Sequence, residues 1–506
     1  MNPKKTMIIF LTILSILLIS QNILGFELDQ TVSKEITKII QIEKAKNTEN
    51  IEKLKKEFKK QLYQFNNLEK QLPESSIKIE RSLKKPGFLS EKKFLGDVNY
   101  LFEIFKYGYS GYQYFGGEQK FNNVEKNIIK AVKEKSFFNF LSTKEFVKIL
   151  QGNLSFIQDL HFAIDGKSVG NRYQYYMSSD YIFYKDKAGY YTNFEGQKAY
   201  IDKIQGGNIE NFLKLSINKE GYIIYRLGKI EKVKKNNEIA INVVFKLEDD
   251  NSIDKKIKLI HPKMKYYQNK LPYHTYQKDG INIIEHRTAS ANKNNLKKLE
   301  KFASEAPKFK DDKFLIIDLR GNSGGADIYA SDWVENFTGV EPGEGIIESS
   351  LVTDTANRLL LNSFNQMYGM QYSDLEGEYK KIFEKTKSGW TKIKYHPYKS
   401  IGNDTLIFVL IDNGVASAGE SFVNYLKQLE NTIFIGTNTA GLLSFGNMGM
   451  CNLPNSNIEL FISKTISLTP DLKSREGYGY YPDFWVAPID ALDISLKFID
   501  NYFIEE

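Results

Sequence analysis

Ser417 sits where an apolar run, Leu406 to Ile411 (LIFVLI), has passed through Asp412-Asn413-Gly414 into VASAGESFVNYLKQL, in which Ala418, Phe422, Tyr425, Leu426 and Leu429 recur at helical spacing. A serine at a strand-to-helix turn faces the free N–H groups and positive end of the helix, which favour a developing negative charge. The same position also suits a simple helix cap, and the segment alone leaves both roles open. A serine nucleophile needs a base, because its hydroxyl does not ionise near neutral pH unaided. Five histidines are available, His161, His261, His274, His286 and His396, and sequence distance does not choose among them.

A second stretch, FLIIDLRGNSGG from Phe314 to Gly325, carries four apolar residues into Asp318 and ends in the pair Gly324-Gly325. This is the pattern of a buried parallel strand ending in a turn. Glycines there let the backbone approach a ligand and present N–H groups unobstructed, although a tight strand-to-helix turn needs them equally. Near the C-terminus, REGYGYYPDFWV joins Glu476 to a glycine-aromatic loop and Pro482-Asp483, which by itself reads as a turn before an edge strand.

The elements around these residues follow in order. Lys4 and Lys5 precede an apolar run from Met7 to Ile19, too short to span a bilayer comfortably and shaped like a signal peptide. Export to the cell envelope or beyond is the expectation, with cleavage near Gly25; Ile23 makes a poor cleavage site, which keeps an uncleaved membrane anchor open. From Leu28 to Leu72 apolar residues recur three or four apart, and Pro73 ends the pattern, predicting helices that pack on the body or oligomerise as a coiled coil. Ser142 and Glu145 have capping-box spacing and open a helix with the stripe Phe146, Ile149, Leu150, Leu154 and Ile157, which leads to Asp159, Leu160 and His161. Tyr173 to Ile260 alternates apolar and polar residues over short runs, as a small β-rich domain does. Strand and helix then alternate from Ile281 to Ile435, the order of an α/β core.

The 506 residues suffice for more than one domain, and 42% hydrophobic with 13% aromatic residues is a globular composition. A net charge of +7, from 69 basic and 62 acidic residues without a long basic block, argues against a dedicated nucleic-acid binder. The single cysteine, Cys451, excludes an intramolecular disulfide and a zinc cluster.

Taken together, FIQDLHFAI (Phe156 to Ile164), FLIIDLRGNSGG, NGVASAGES (Asn413 to Ser421), IGTNTAG (Ile435 to Gly441) and EGYGYYPDFWV (Glu476 to Val486) give the chain a recognisable set of blocks. From about Phe88 onward it resembles the C-terminal processing or tail-specific serine peptidases, and within them the tricorn-core branch. The resemblance implies an α/β, ClpP/crotonase-like catalytic core with an N-terminal helical region and a small β-rich, PDZ-like domain. The expected boundaries are 1–25 signal peptide, 26–87 helical segment, 88–165 helical subdomain with His161, 166–275 β-rich domain and 276–506 α/β core.

The resemblance also implies Ser417 as nucleophile, His161 as general base and Glu476 as its orienting carboxylate. Backbone N–H groups of Ala418 and of Gly324 or Gly325 would form the oxyanion hole, each donor being typically worth ~3 kcal/mol. No metal or other cofactor is required. Two positions depart from the family's patterns. The lysine of the other branch, twenty-five residues beyond the serine, falls on Leu442, and the serine that precedes the histidine in the tricorn branch is Leu160, which brings in Asp159 as an alternative orienter. The implied function is an exported serine endopeptidase acting on exposed or unfolded polypeptide segments. The alternative is a catalytically inactive peptide- or ligand-binding protein that retains the fold.

Overall fold

The computed structural model describes residues 50–504, apart from 80–83, 206, 265–266, 269, 370, 372, 374–382 and 385. The expected signal segment and the first half of the N-terminal helical stretch lie outside the described residues.

Six strands form the central sheet. An antiparallel edge strand, His274–Lys278, pairs with Ile281–Glu285, and four further strands follow in parallel: Phe314–Asp318, Leu406–Ile411, Thr432–Gly436 and Phe484–Trp485. The apolar runs are continuous because the inner strands are covered on both faces. Leu315, Ile317, Ile407, Val409, Ile411 and Phe434 face one core, built with Phe302, Trp333 and Phe422 from the helices Leu296–Glu305, Ile328–Thr338 and Ala418–Leu426. Ile316, Phe408, Leu410, Ile433 and Ile435 face the other, against the C-terminal helix Ala491–Phe503. The parallel register Asp318↔Leu410 brings the carboxyl ends of the strands Phe314–Asp318 and Leu406–Ile411 side by side. The turns that carry the glycine pair and Ser417 therefore leave the same edge of the sheet, where α/β folds place their ligands.

A second sheet lies in the order Lys394–His396, Ile346–Ser350, Glu459–Leu468, Ala163–Ile164, Lys167–Ser168, with Phe445–Asn452 also pairing with Glu459–Leu468. Its pairing of Ala163 with Phe461 and Ile164 with Leu460 ties the end of the helical subdomain to the core. That subdomain consists of the helices Glu91–Gly108, Gly117–Lys135 and Thr143–Asn153 around one apolar cluster. The Ser142 hydroxyl accepts the Glu145 N–H at 3.2 Å and starts the last of these helices, whose stripe of Phe146, Ile149 and Leu150 is buried. Asp97, fully buried, accepts the backbone N–H groups of Asn455 (2.8 Å) and Ser456 (2.9 Å), which fixes the helices against the following strand.

Eight strands between Tyr173 and Ile260 form a separate antiparallel sheet. Its described residues hold one 3₁₀ turn, Ile209–Asn211, and no α-helix. The N-terminal pattern is corrected in one respect: the described helix, Ile51–Lys59, stops well short of Leu72. Beyond it Leu62 and Phe65 pack on the body beside Trp390, and the Trp390 indole N–H donates to the Tyr63 carbonyl at 2.9 Å. Tertiary docking of separate side chains thus replaces the helical spacing over 60–72.

Candidate active site

Ser417 stands at φ 52° and ψ −125°, just ahead of the helix Ala418–Leu426. A left-handed φ is costly for a residue with a side chain and persists only where its surroundings impose it. Here Glu420 imposes it. Its fully buried carboxylate accepts the Ser417 N–H at 3.2 Å and the Leu442 N–H at 2.7 Å through Oε2, and the Gly441 N–H at 2.8 Å and Thr439 hydroxyl at 2.5 Å through Oε1. Burial pushes this carboxyl up to about 7 against the pull of those four donors. The serine-to-glutamate spacing of three in the sequence carries the signal for this contact, which sequence reasoning passed over.

The glycine turn packs directly on that bend. A Cβ on Gly324 would lie 2.7 Å from the Ala416 carbonyl oxygen and 2.9 Å from the Ala418 nitrogen, and its φ of +96° also favours glycine. The Gly324 N–H, however, is spent on the Asn322 side-chain oxygen at 2.9 Å. Gly325 and Ala418 line the same cleft as Ser417 and His161, whereas Gly324 lies behind it. Of the two glycines, Gly325 is therefore the one placed to offer its N–H with that of Ala418.

The turn is held from beneath by Asp318. Its carboxylate, 0% exposed, receives Arg287 Nη1 at 2.6 Å and Nη2 at 2.5 Å, and Arg320 Nε at 2.8 Å and Nη2 at 2.5 Å. Burial opposes its ionisation, yet Arg320 and Arg287 outweigh burial and hold it far below the usual carboxylate range. Asp318 and Arg320 thus brace the turn rather than act on a substrate.

Among the described residues, His161 is the one histidine on the cleft. His286 is buried against Phe302, its ring centroid 4.2 Å away, and burial pushes its pKa down to about 4. His261 contacts the Tyr175 carbonyl in the β-rich sheet at 3.1 Å, His396 lies 3.3 Å from Glu348, and His274 is exposed on the edge strand.

The backbone of His161 is fixed by Asp159, whose Oδ1 accepts the N–H groups of His161 (2.8 Å) and Phe162 (3.2 Å), while its Oδ2 accepts the Ser463 hydroxyl at 2.8 Å. Glu476 closes the loop from the other side. It accepts the N–H groups of Leu160 at 3.0 Å, Leu443 at 2.7 Å and Ser444 at 2.6 Å. The Leu160 contact uses the backbone, so the leucine side chain does not break it.

The imidazole itself is less constrained. Its Nδ1 lies 4.0 Å from Asp159 Oδ1, too far for a hydrogen bond, and has no hydrogen-bond partner among the described residues. Glu476 bonds backbone and not the ring. One ligand-capable atom each of Asp159, His161 and Glu476 falls within 4.8 Å of the others, a spacing that could admit a cation. All four carboxylate oxygens already accept hydrogen bonds, which suits a braced base better than a metal cage. Burial pushes both carboxyls up, Glu476 further because of the Asp159 charge, and pushes the His161 pKa down against the attraction of Asp159.

If Glu476 acts through its three backbone contacts, Glu476→Gln should retain much of any turnover and Glu476→Ala should lose far more, with kcat changing more than KM. Equal activity of the two variants in a steady-state assay would remove Glu476 from the site.

The cleft encloses about 280 Å³. Asp327, Glu344 and Glu348 line it together with Lys473 and Arg475. Burial and the Glu348 charge push the Glu344 carboxyl up to about 7, whereas His396 outweighs burial at Glu348 and lowers its pKa. These carboxylates fall within one short stretch, Asp327 to Glu348, and carry no motif.

Residues 280–486 match the family profile described as Peptidase family S41. No curated protein matches the sequence. Among solved structures, mature CPAF is similar with 14% identity and a TM-score of 0.40, over 81% of this chain and 95% of that one. The photosystem II D1 C-terminal processing protease shares 14% identity, with a TM-score of 0.33 over 79% of this chain and 93% of its own. The tricorn protease shares 12% identity, with a TM-score of 0.34 over 81% of this chain and 37% of the tricorn chain.

Proposed function

We propose that this chain, a serine-type member of peptidase family S41, is an exported endopeptidase that cuts exposed or unfolded polypeptide segments through Ser417 and His161. The observation that carries the reading is the Ser417 bend, held at φ 52° and opening onto a cleft shared with His161, Gly325 and Ala418. His161 takes the Ser417 hydroxyl proton as the oxygen attacks a peptide carbonyl, then returns it to the departing amine. The N–H groups of Ala418 and Gly325 hold the oxyanion, and water releases the acyl group by the same proton path. Asp159 is the nearer carboxylate to Nδ1, and a closure of about 1 Å would let it accept the Nδ1 proton. Export rests on the basic and apolar N-terminal run.

The unpaired Nδ1 of His161 favours the alternative, a catalytically inactive peptide- or ligand-binding protein that keeps the fold. The two part on a simple incubation. Reduced, carboxymethylated protein should be cut and its folded parent spared, with the Ser417→Ala variant leaving both intact. Cleavage that survives Ser417→Ala would remove Ser417 as nucleophile, and binding without cleavage by the native chain would favour the alternative.

A further inference from the structure

The four most exposed large hydrophobic side chains among the described residues lie together on residues that do not line the cleft. Phe88 is 70% exposed, Phe137 76%, Phe138 82% and Phe140 55%. Two short strands, Phe88–Ser90 and Phe140–Ser142, pair in antiparallel register with Leu89 opposite Leu141. Leu89 and Leu141 point into the helical subdomain and are buried, so Phe88 and Phe140 share the opposite, uncovered face of the ribbon. Beyond it, Phe137 and Phe140 exchange backbone hydrogen bonds of 2.8 and 2.9 Å around a two-residue turn of Phe138 and Asn139, both left-handed at φ 46° and 63°. The Phe137 and Phe138 rings contact edge to face at 4.4 Å. A left-handed phenylalanine at a turn tip serves no fold that asparagine or glycine would not serve better.

The surroundings are basic. Residues 84–93 and 130–148, which flank the two strands, carry nine lysines against three glutamates. Glu134 and Glu145 already lie near lysines, with Lys135 and Lys148 on Glu145 at 2.6 and 3.3 Å and Lys130 on Glu134 at 3.7 Å. Lys84, Lys92, Lys93, Lys133 and Lys144 are exposed.

We infer that this phenylalanine tip, ringed by lysines, docks on the surface of an anionic lipid membrane, with the rings at the acyl boundary and the ammonium groups on the headgroups. Exposed apolar patches of this kind mark interaction sites, and a convex tip with a basic rim matches an anionic interface better than it matches a peptide groove. Docking there would hold the peptidase core beside the membrane whether or not the N-terminal run stays attached.

The test reads the tip itself, because an attached N-terminal run could carry the whole chain to vesicles. The full chain with Phe137→Cys takes an environment-sensitive NBD label, the native Cys451 being buried. Vesicles of phosphatidylcholine with phosphatidylglycerol should shift its emission to the blue and raise it at least about twofold, and salt should reverse the effect. Adding Phe138→Ser and Phe140→Ser should abolish the shift while circular dichroism stays unchanged. No shift with vesicles of any composition would overturn the inference. A shift that appears without lipid and grows with protein concentration would also overturn it, in favour of a second copy on this face.

Discussion

His161→Ala should lower kcat by about 10⁶-fold, leaving only the roughly 10³- to 10⁴-fold acceleration over water that the oxyanion donors and substrate binding supply. The loss is large because no other histidine among the described residues reaches the cleft to replace it. Folding should be retained, since the ring makes no hydrogen bond that its removal would break; the backbone N–H to Asp159 remains. The pH dependence follows from the same environment. Burial lowers the His161 pKa below its ordinary value of about 6.5, so the base is neutral over a wider range, and the acid limb of kcat/KM should have its midpoint below about 6.5. Turnover unchanged in His161→Ala, measured with circular dichroism on the same samples, would remove the residue from the reaction.

Asp318→Asn should destabilise the chain by about 3–5 kcal/mol, the usual cost of leaving buried charge without its partner. Arg287 and Arg320 are both 1% exposed, and each commits two nitrogens to this carboxylate, which an amide cannot satisfy. The midpoint of urea unfolding reports the change, and a shift worth less than about 1 kcal/mol would show that the cluster relaxes without cost. Activity should fall with it, because the Arg320-to-Gly325 turn rests on this network. The sign with pH is also fixed. Folding lowers the Asp318 pKa beneath its unfolded value near 3.9, so its stabilisation is complete above that pH and is lost as pH falls towards the folded-state value.

The core was legible because its signals are local. Continuous apolar runs such as Leu406 to Ile411 can be buried only on both faces, and the glycine turn and Ser417 each follow such a run directly. What escaped depends on pairing across long separations. The strand Glu459–Leu468 joins Ala163–Ile164 to the core, and nothing in either segment names the other. The resemblance implies Glu476 as a partner of the His161 ring, whereas its oxygens hold the backbone of Leu160, Leu443 and Ser444. A sequence shows that a carboxylate is near a histidine's loop more readily than which atom it meets. The helical spacing through Leu72 misled for a related reason: Leu62 and Phe65 dock as separate side chains, and periodicity alone does not distinguish that from one more turn of helix.

Labelling the purified chain with a fluorophosphonate probe, beside its Ser417→Ala variant, tests most directly whether Ser417 is an activated nucleophile. The account predicts covalent labelling of the native protein that saturates at one site and disappears in the variant, with His161→Ala slowed by orders of magnitude. Equal labelling of native and Ser417→Ala protein, or none of the folded native chain even with a peptide docked, would contradict it.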